Sequence, residues 1–119
     1  MTEKLSVGRF GEQAAAEYMV SEGMVIIKRN FYCRVGEIDI IARDGEYTVF
    51  TEVKTRKGKD YGTAGEFVDF KKQGRIIKTA LYYCGTEDIA MRFDVAEVYY
   101  RQTKQGYIVE SINYIKNAF

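Results

Sequence analysis

Acidic residues and a lysine recur at two-residue spacing in the middle of this sequence. Glu37 and Asp39 lie in one segment rich in β-branched residues, and Glu52 and Lys54 lie in the next. Because side chains alternate between the two faces of a strand, each pair is expected to project from one face. The apolar residues expected on the opposite face of the first strand are Ile38, Ile40 and Ala42. Paired carboxylates beside an amine can hold a hard cation such as Mg²⁺, or they can be hydrated charges on an exposed face.

The two segments are joined by Asp44-Gly45, a dipeptide typical of tight hairpins because the turn needs positive φ. With these two as the turn residues, Asp39 becomes the diagonal neighbour of Glu52, and Glu37 lies directly opposite Glu52. Three carboxylates would then share one face. Two of them at ~5 Å repel by about 3 kcal/mol at an effective dielectric near 20. A bound dication would offset this repulsion, whereas a fully hydrated face would only screen it.

Hydrophobic periodicity predicts one α/β domain in these 119 residues, with a mixed sheet of about five strands flanked by two helices. The predicted order is αβββαββ. Helices are expected over 6–22 and 68–84, strands over 24–31, 36–42, 47–54, 91–100 and 107–112, and a loop over 55–65.

The second predicted helix is amphipathic. Its expected buried face is a stripe of five residues at helical spacing: Phe70, Gly74, Ile77, Leu81 and Cys84. Gly74 on that stripe suggests a close approach to the sheet. Lys71, Arg75 and Lys78 share the opposite, polar face.

Composition excludes several kinds of chemistry. The chain has no histidine, so imidazole-dependent triads and histidine-ligated zinc are ruled out. Cys33 and Cys84 cannot complete a zinc site alone, and we expect two buried thiols in a reducing compartment. The first residues lack the apolar core of a secretory signal, and no apolar run approaches the ~20 residues of a membrane helix. We therefore expect a cytoplasmic protein without membrane association.

Positive charge is concentrated beside the second acidic pair. Residues 54–78 carry 8 basic and 3 acidic side chains, net +5, although the whole chain is only +1. Such a patch attracts a phosphate backbone, although a solvated helix face would look the same. The candidate nucleic-acid contacts are Arg56, Lys57, Lys71, Lys72, Arg75 and Lys78. Tyr61, Phe67 and Phe70 could stack on unpaired bases, but Phe70 is expected in the core.

Two segments, Glu37-Ile38-Asp39-Ile40-Ile41-Ala42 and Phe50-Thr51-Glu52-Val53-Lys54-Thr55-Arg56, resemble the D…E-x-K core of the PD-(D/E)xK, restriction-endonuclease-like nucleases. More narrowly, the chain resembles the YraN family, which is related to archaeal-type Holliday-junction resolvases. The resemblance runs nearly end to end. It includes Gly8-Arg9-Phe10-Gly11-Glu12, Lys28-Arg29-Asn30-Phe31, Arg92-Phe93-Asp94-Val95 and the terminal Ala118-Phe119. One departure is that Ile38, not proline, precedes the aspartate.

This resemblance implies a role for each matching residue. Asp39 and Glu52 would hold Mg²⁺ or Mn²⁺ together with the backbone carbonyl of Val53. Lys54 would orient or deprotonate the attacking water and stabilise transition-state charge. Glu12 matches the first-helix carboxylate of the resolvase branch, and support of the helix is its alternative role. Glu37 remains ambiguous between the active face, a supporting position and an ion pair with Arg34.

The implied activity is Mg²⁺-dependent endonucleolytic cleavage of DNA, with branched or junction DNA as one candidate substrate. Symmetric cleavage of two strands would need a homodimer, for which the sequence locates no interface. One alternative is a nucleic-acid-binding module that keeps the nuclease fold without turnover. Another is a protein-interaction adaptor that uses the ten tyrosines at an interface.

Overall fold

The helices and strands follow the predicted order in a computed structural model, which describes residues 3–58 and 68–119. The elements are α1 (Glu3–Ser21), β1 (Val25–Cys33), β2 (Gly36–Asp44), β3 (Tyr47–Lys57), α2 (Phe70–Cys84), β4 (Met91–Thr103) and β5 (Gly106–Ile115). β3 therefore continues into the segment predicted as a loop. The rest of that segment, from residue 59 on, lies outside the described residues.

One five-stranded mixed sheet forms the centre of the fold, in the order β1-β2-β3-β4-β5. β3 and β4 pair in parallel, from Thr48 with Met91 to Lys57 with Tyr100, while the other neighbours are antiparallel. α2 is the crossover that a parallel pair requires. The predicted α/β fold is confirmed, and it is compatible with a restriction-endonuclease-like architecture.

Each face of the sheet is covered by one helix. On the α1 face, three alanines and a methionine of the helix pack on small strand residues: Ala14, Ala15, Ala16 and Met19 contact the cluster of Ile40, Ala42, Val49, Ala96 and Val98. On the α2 face, Ile76 and Ala80 belong to a cluster with Ile41, Phe50 and Val95. A Cβ on Gly11 would lie 1.8 Å from Thr55 Oγ1, so only glycine lets α1 approach β3 this closely.

The prediction of the buried face of α2 is wrong. The buried residues of this helix are Ile76, Thr79 and Ala80. Phe70 is 89% exposed, so its expected place in the core is also wrong. A Cβ added to Gly74 would have no atom within 4 Å among residues 3–58 and 68–119, so this glycine makes no close approach to the sheet.

The close contact between α2 and the sheet involves a strand glycine instead. A Cβ on Gly36 of β2 would lie 2.8 Å from Thr79 Oγ1. Residues three and four positions apart share one face of a helix, so the face that contains Thr79 is the one against the sheet. The helix is therefore rotated about its axis relative to the prediction. Lys72, one turn before Ile76, is on the sheet-facing side as a result.

The turn between β2 and β3 is displaced by one residue from the prediction. Asp44 pairs with Tyr47, so the turn residues are Gly45 and Glu46. Gly45 has φ +61°, whereas Glu46 does not have positive φ. A type II′ turn needs positive φ only at its first central position, which explains why glycine occupies it.

The Arg92-Phe93-Asp94-Val95 motif builds a buried polar network. Asp94 is fully buried and accepts hydrogen bonds from Arg92, from the Tyr114 hydroxyl at 2.7 Å and from the Asn117 backbone N–H at 2.9 Å. Arg92 also pairs with Asp44 at 2.8 Å. These contacts tie the end of β5 and the end of β2 to β4, so this motif stabilises the fold.

Cys33 and Cys84 are free thiols, and each is half-buried rather than buried as expected. Burial raises the pKa of the Cys84 thiol. Within residues 3–58 and 68–119, no helix has the length and apolar character needed to cross a membrane.

Candidate functional site

β2 and β3 separate at the position of Asp39. Their backbone pairing ends at Ile40 with Thr51. Beyond that pair, the Val53 backbone N–H donates to Asp39 Oδ2 at 2.8 Å. The side-chain carboxyl group of Asp39 therefore takes the place of a backbone carbonyl of β2 as the acceptor. Because the N–H and C=O of one strand residue point to the same side, the Val53 carbonyl also faces β2. A carboxyl group and a backbone carbonyl therefore line this gap.

A bend in β1 and β2 turns Asp39 toward the gap. Asn30 lies across from Asp39 and has φ +54°, a conformation that asparagine tolerates better than most residues. Ile38 packs in the α2-side core, whereas Ile40 packs in the α1-side core. Regular alternation would place both on one face, so that prediction is wrong. The bend at Asp39 is the physical reason.

The Asp39 carboxyl group lies beside Glu52. The corrected turn sets these two residues in line rather than diagonally when the register is continued past Ile40, and Asp39 Oδ2 accepts from the N–H of Val53, the residue next to Glu52. Burial raises the pKa of Asp39 to about 8, and the charge and hydrogen bond of Glu52 contribute in the same direction. The Val53 N–H opposes the shift, while the charge of Glu12 adds to it. At neutral pH the Asp39 carboxyl group is therefore mostly protonated.

Two lysine side chains surround the Glu52 carboxylate, which is 8% exposed. Lys72 Nζ forms an ion pair with Glu52 Oε2, and Lys54 Nζ lies 4.0 Å from the same oxygen. Burial lowers the pKa of Lys72, but the hydrogen bond and charge of Glu52, with the charge of Asp39, raise it overall. The two ammonium groups thus balance the carboxylate on the α2 side of the sheet.

The start of α2 positions Lys72. Asp69 caps this helix, and its Oδ1 accepts from the Lys72 backbone N–H at 2.8 Å. Sequence reasoning placed Lys72 among the nucleic-acid contacts and missed its place beside Glu52. The signal was present, since Lys72, Ile76, Thr79 and Ala80 are also at helical spacing, but larger apolar residues favoured the other stripe.

The structure keeps Glu37 apart from the carboxylate pair. Glu37 pairs with Tyr32 of β1 and is exposed, so the prediction that it lies opposite Glu52 is wrong. It lines a small cleft with Lys72 and Arg75. In the described part of the chain, no three acidic or cysteine side chains gather as metal ligands. The predicted face of three carboxylates is therefore not formed.

The other predicted nucleic-acid contacts have different surroundings. Lys57 is exposed at the end of β3, and Lys71, Arg75 and Lys78 are exposed on α2. Arg56 lies near Glu97 of the neighbouring strand, with 3.8 Å between Arg56 Nε and Glu97 Oε2. Tyr61 and Phe67 lie outside the described residues.

The donor atoms at the gap suit a hard dication. Two neighbouring carboxyl groups and a backbone carbonyl are oxygen ligands of the kind that Mg²⁺ prefers, and Mg²⁺ retains several waters. Burial is the largest cause of the raised pKa of Asp39, so ionising this carboxyl group in the metal-free protein is costly, and a bound dication would reduce that cost. A cation could bind only in competition with this proton and with the Lys72 ammonium.

Comparison with known proteins places the chain in a family. A family model described as "Uncharacterised protein family UPF0102" matches residues 11–98, which include every residue of the gap. A UPF0102 protein of Clostridium botulinum strain 657 is 47% identical over 117 residues, covering 95% of this chain and 93% of the relative. A UPF0102 protein of Clostridium tetani strain Massachusetts is 45% identical over 116 residues, with the same coverage. One from Caldanaerobacter subterraneus subsp. tengcongensis is 42% identical over 119 residues, covering 98% and 96%. The chain therefore belongs to the UPF0102 family, which is the YraN family that its motifs resemble.

Proposed function

We propose that this protein is a metal-dependent nuclease that hydrolyses phosphodiester bonds in DNA. The observation that carries the proposal is the Asp39 carboxyl group held on the Val53 N–H next to Glu52, with Lys54 and Lys72 at the Glu52 carboxylate. Two adjoining acidic groups are costly to ionise together without a cation. The D…E-x-K resemblance supports the same chemistry.

Asp39 and Glu52 would hold Mg²⁺ or Mn²⁺, with the Val53 backbone carbonyl as a further ligand. When bound, such an ion polarises a phosphate oxygen and neutralises charge that develops there. Asp39 has to lose its proton for this role, and Glu52 has to lose its contact with Lys72. Few protein ligands leave room for water and for the substrate.

The lysines act on the phosphate in this proposal. Lys54 donates from its ammonium group to a phosphate oxygen or to the attacking water, where its positive charge stabilises the transition state. Lys72, once displaced from Glu52, remains within the site as a second donor to phosphate. Glu12 on α1 contributes an accessory carboxylate, since its charge already acts on Asp39.

The exposed basic residues of α2 supply the DNA-binding surface in this proposal. Lys71, Arg75 and Lys78 are exposed on the helix whose first turn carries Lys72. They therefore extend the positively charged surface along α2 from the site. Phosphate contacts of this kind position a strand without reading its sequence. The preference for branched or junction DNA and the need for a homodimer rest on the family resemblance.

Cleavage assays on plasmid, single-stranded and four-way-junction DNA with Mg²⁺ or Mn²⁺ test the proposal. Asp39→Asn, Glu52→Gln and Lys54→Ala are each expected to lower the rate by about 100-fold or more. Glu46→Gln, at an exposed turn position, is the matched control and should leave the rate unchanged.

Cleavage that survives both Asp39→Asn and Glu52→Gln would eliminate the assigned site. DNA binding without cleavage under any metal condition would instead favour a non-catalytic binding module. Such a module would bind independently of Mg²⁺ and of Lys54→Ala, and its affinity would still fall with salt.

A further inference from the structure

A cleft of about 750 Å³ beside α1 combines arginines with aromatic rings. Arg9 and Phe10 of α1, Arg29 of β1 and Tyr107 of β5 belong to its lining. The Phe10 and Tyr107 rings lie 5.6 Å apart, and both pack against Tyr100, which fixes the aromatic wall. We call this feature the α1 cleft.

Arg29 lines the α1 cleft, and one of its side-chain donors has no partner among the described residues. Its Nη1 donates to Gln13 Oε1 at 2.7 Å, which fixes the guanidinium. Its Nε is buried and has no hydrogen-bond partner. A buried donor without an acceptor costs about 1–3 kcal/mol, so this arginine is held in place at a cost. Arginine presents several donors in a planar arrangement that matches phosphate oxygens.

The α1 cleft adjoins the carboxylate pair. Glu12 lines the cleft, and its neighbour Gly11 packs against Thr55 of β3, the strand that carries Glu52. Asn30, which also lines it, lies across from Asp39 between the paired residues of β1 and β2. Asn30 thus lies both in the lining of the cleft and next to the gap between β2 and β3.

We propose that the α1 cleft binds an unpaired nucleotide of the DNA strand whose phosphodiester lies at Asp39 and Glu52. Arg29 and Arg9 hold its phosphate, and its base packs on Phe10 and Tyr107. Stacking of a base on an aromatic ring contributes about 1–3 kcal/mol, but a base within a duplex is not available for it. This inference rests on the proposed function and adds a substrate class, namely DNA with unpaired nucleotides next to the cleaved bond.

Fluorescence anisotropy of a labelled ten-nucleotide DNA strand, compared with the same sequence as a duplex, tests the cleft. The full chain is used in EDTA, so that neither metal nor cleavage enters the measurement. Arg29→Gln is expected to weaken single-strand binding by about 10-fold and duplex binding by less than about twofold. The slope of log affinity against log salt should also become less steep by about 0.7 for the single strand.

Two further variants control for folding and for charge. Arg9→Gln alters an exposed residue of the same cleft and should weaken single-strand binding without disturbing packing. Arg43→Gln removes an exposed arginine near the β2–β3 turn and should change neither affinity. Wild-type affinity in both Arg29→Gln and Arg9→Gln would overturn the inference. Tighter binding of an RNA strand than of the DNA strand would overturn the assignment to DNA.

The two proposals fail in different ways. Cleavage that depends on Asp39, together with single-strand binding that does not change in Arg29→Gln, would refute nucleotide binding in the α1 cleft and would still support the nuclease proposal. Single-strand binding that depends on Arg29, without cleavage in Mg²⁺ or Mn²⁺, would support the cleft and refute the nuclease.

Discussion

Replacing Asp39 by asparagine should remove most of the pH dependence of folding stability in the metal-free protein. Burial, with the neighbouring Glu52, raises the pKa of Asp39 from 3.8 to about 8. A carboxyl group with a higher pKa in the folded state binds its proton more tightly there. Its contribution to stability is complete below about pH 4 and is lost as the pH rises toward 8.

The size of the effect follows from this pKa. One pKa unit corresponds to about 1.4 kcal/mol, and the folded state gives up the Asp39 proton between pH 6 and pH 9. Integration over that interval gives a loss of about 2–3 kcal/mol in the free energy of unfolding of the wild type. In Asp39→Asn the amide oxygen can accept from the Val53 N–H and the amide nitrogen can donate to Glu52. The variant should therefore change by less than about 1 kcal/mol and exceed the wild type in stability at pH 9.

Urea unfolding followed by circular dichroism, at pH 6, 7, 8 and 9 in EDTA, measures this difference. Glu37→Gln on the same strand is the control and should follow the wild type, because Glu37 is exposed. The thiol of Cys84, whose pKa is also raised by burial, titrates alike in all three proteins and cancels. Equal slopes in wild type and Asp39→Asn would refute the view that the Asp39 carboxyl group holds a proton.

Three further substitutions test the packing and charge of the site. Lys72→Met should tighten Mn²⁺ binding several-fold in titration calorimetry, because it removes the ammonium group paired with Glu52, whereas Lys71→Met at an exposed position should not. Equal Mn²⁺ affinities of the two variants would contradict competition between Lys72 and the metal for Glu52. Gly74→Ala should raise the free energy of unfolding by about 0.5–1 kcal/mol, because alanine favours a helix over glycine and no described atom lies within 4 Å of the added methyl group. A lower free energy of unfolding would indicate an unrecognised contact. Gly11→Ala should instead lower the free energy of unfolding by about 1–3 kcal/mol, because its methyl group would overlap a β3 side chain. A thermal unfolding midpoint equal to that of Gly74→Ala would contradict the described packing of α1.

The convergence of Asp39 with Glu52 was predictable from sequence even though the predicted register was not correct. The true register differs by two residues, because Gly45 and not Asp44 begins the turn. Side chains repeat every two residues along a regular strand, so a shift by an even number keeps Glu52 on its predicted face, and Asp39 keeps the side of Ile41 although alternation is interrupted before it. A shift by one residue would have separated the two carboxyl groups.

The rotation of α2 was not predictable in the same way. Two stripes of this helix have helical spacing, one through Phe70 and Ile77 and one through Lys72 and Ile76. Local hydrophobicity favours the first, but the surface that the helix contacts selects the second. Gly36 of β2 has no side chain, which allows the second stripe to pack against the sheet. Because this glycine lies in another element, the sequence of α2 alone does not indicate which stripe is buried.

The sequence by itself determined the order of elements, the absence of imidazole chemistry and the presence of Asp39 and Glu52 on neighbouring strands, because periodicity and composition are local properties of the chain. Only the tertiary structure decided that Lys72 lies against Glu52, that β2 bends at Asp39 and that this carboxyl group holds its proton to about pH 8. Burial, desolvation and the opposing charges arise from segments far apart in the sequence, so no spacing rule could supply them.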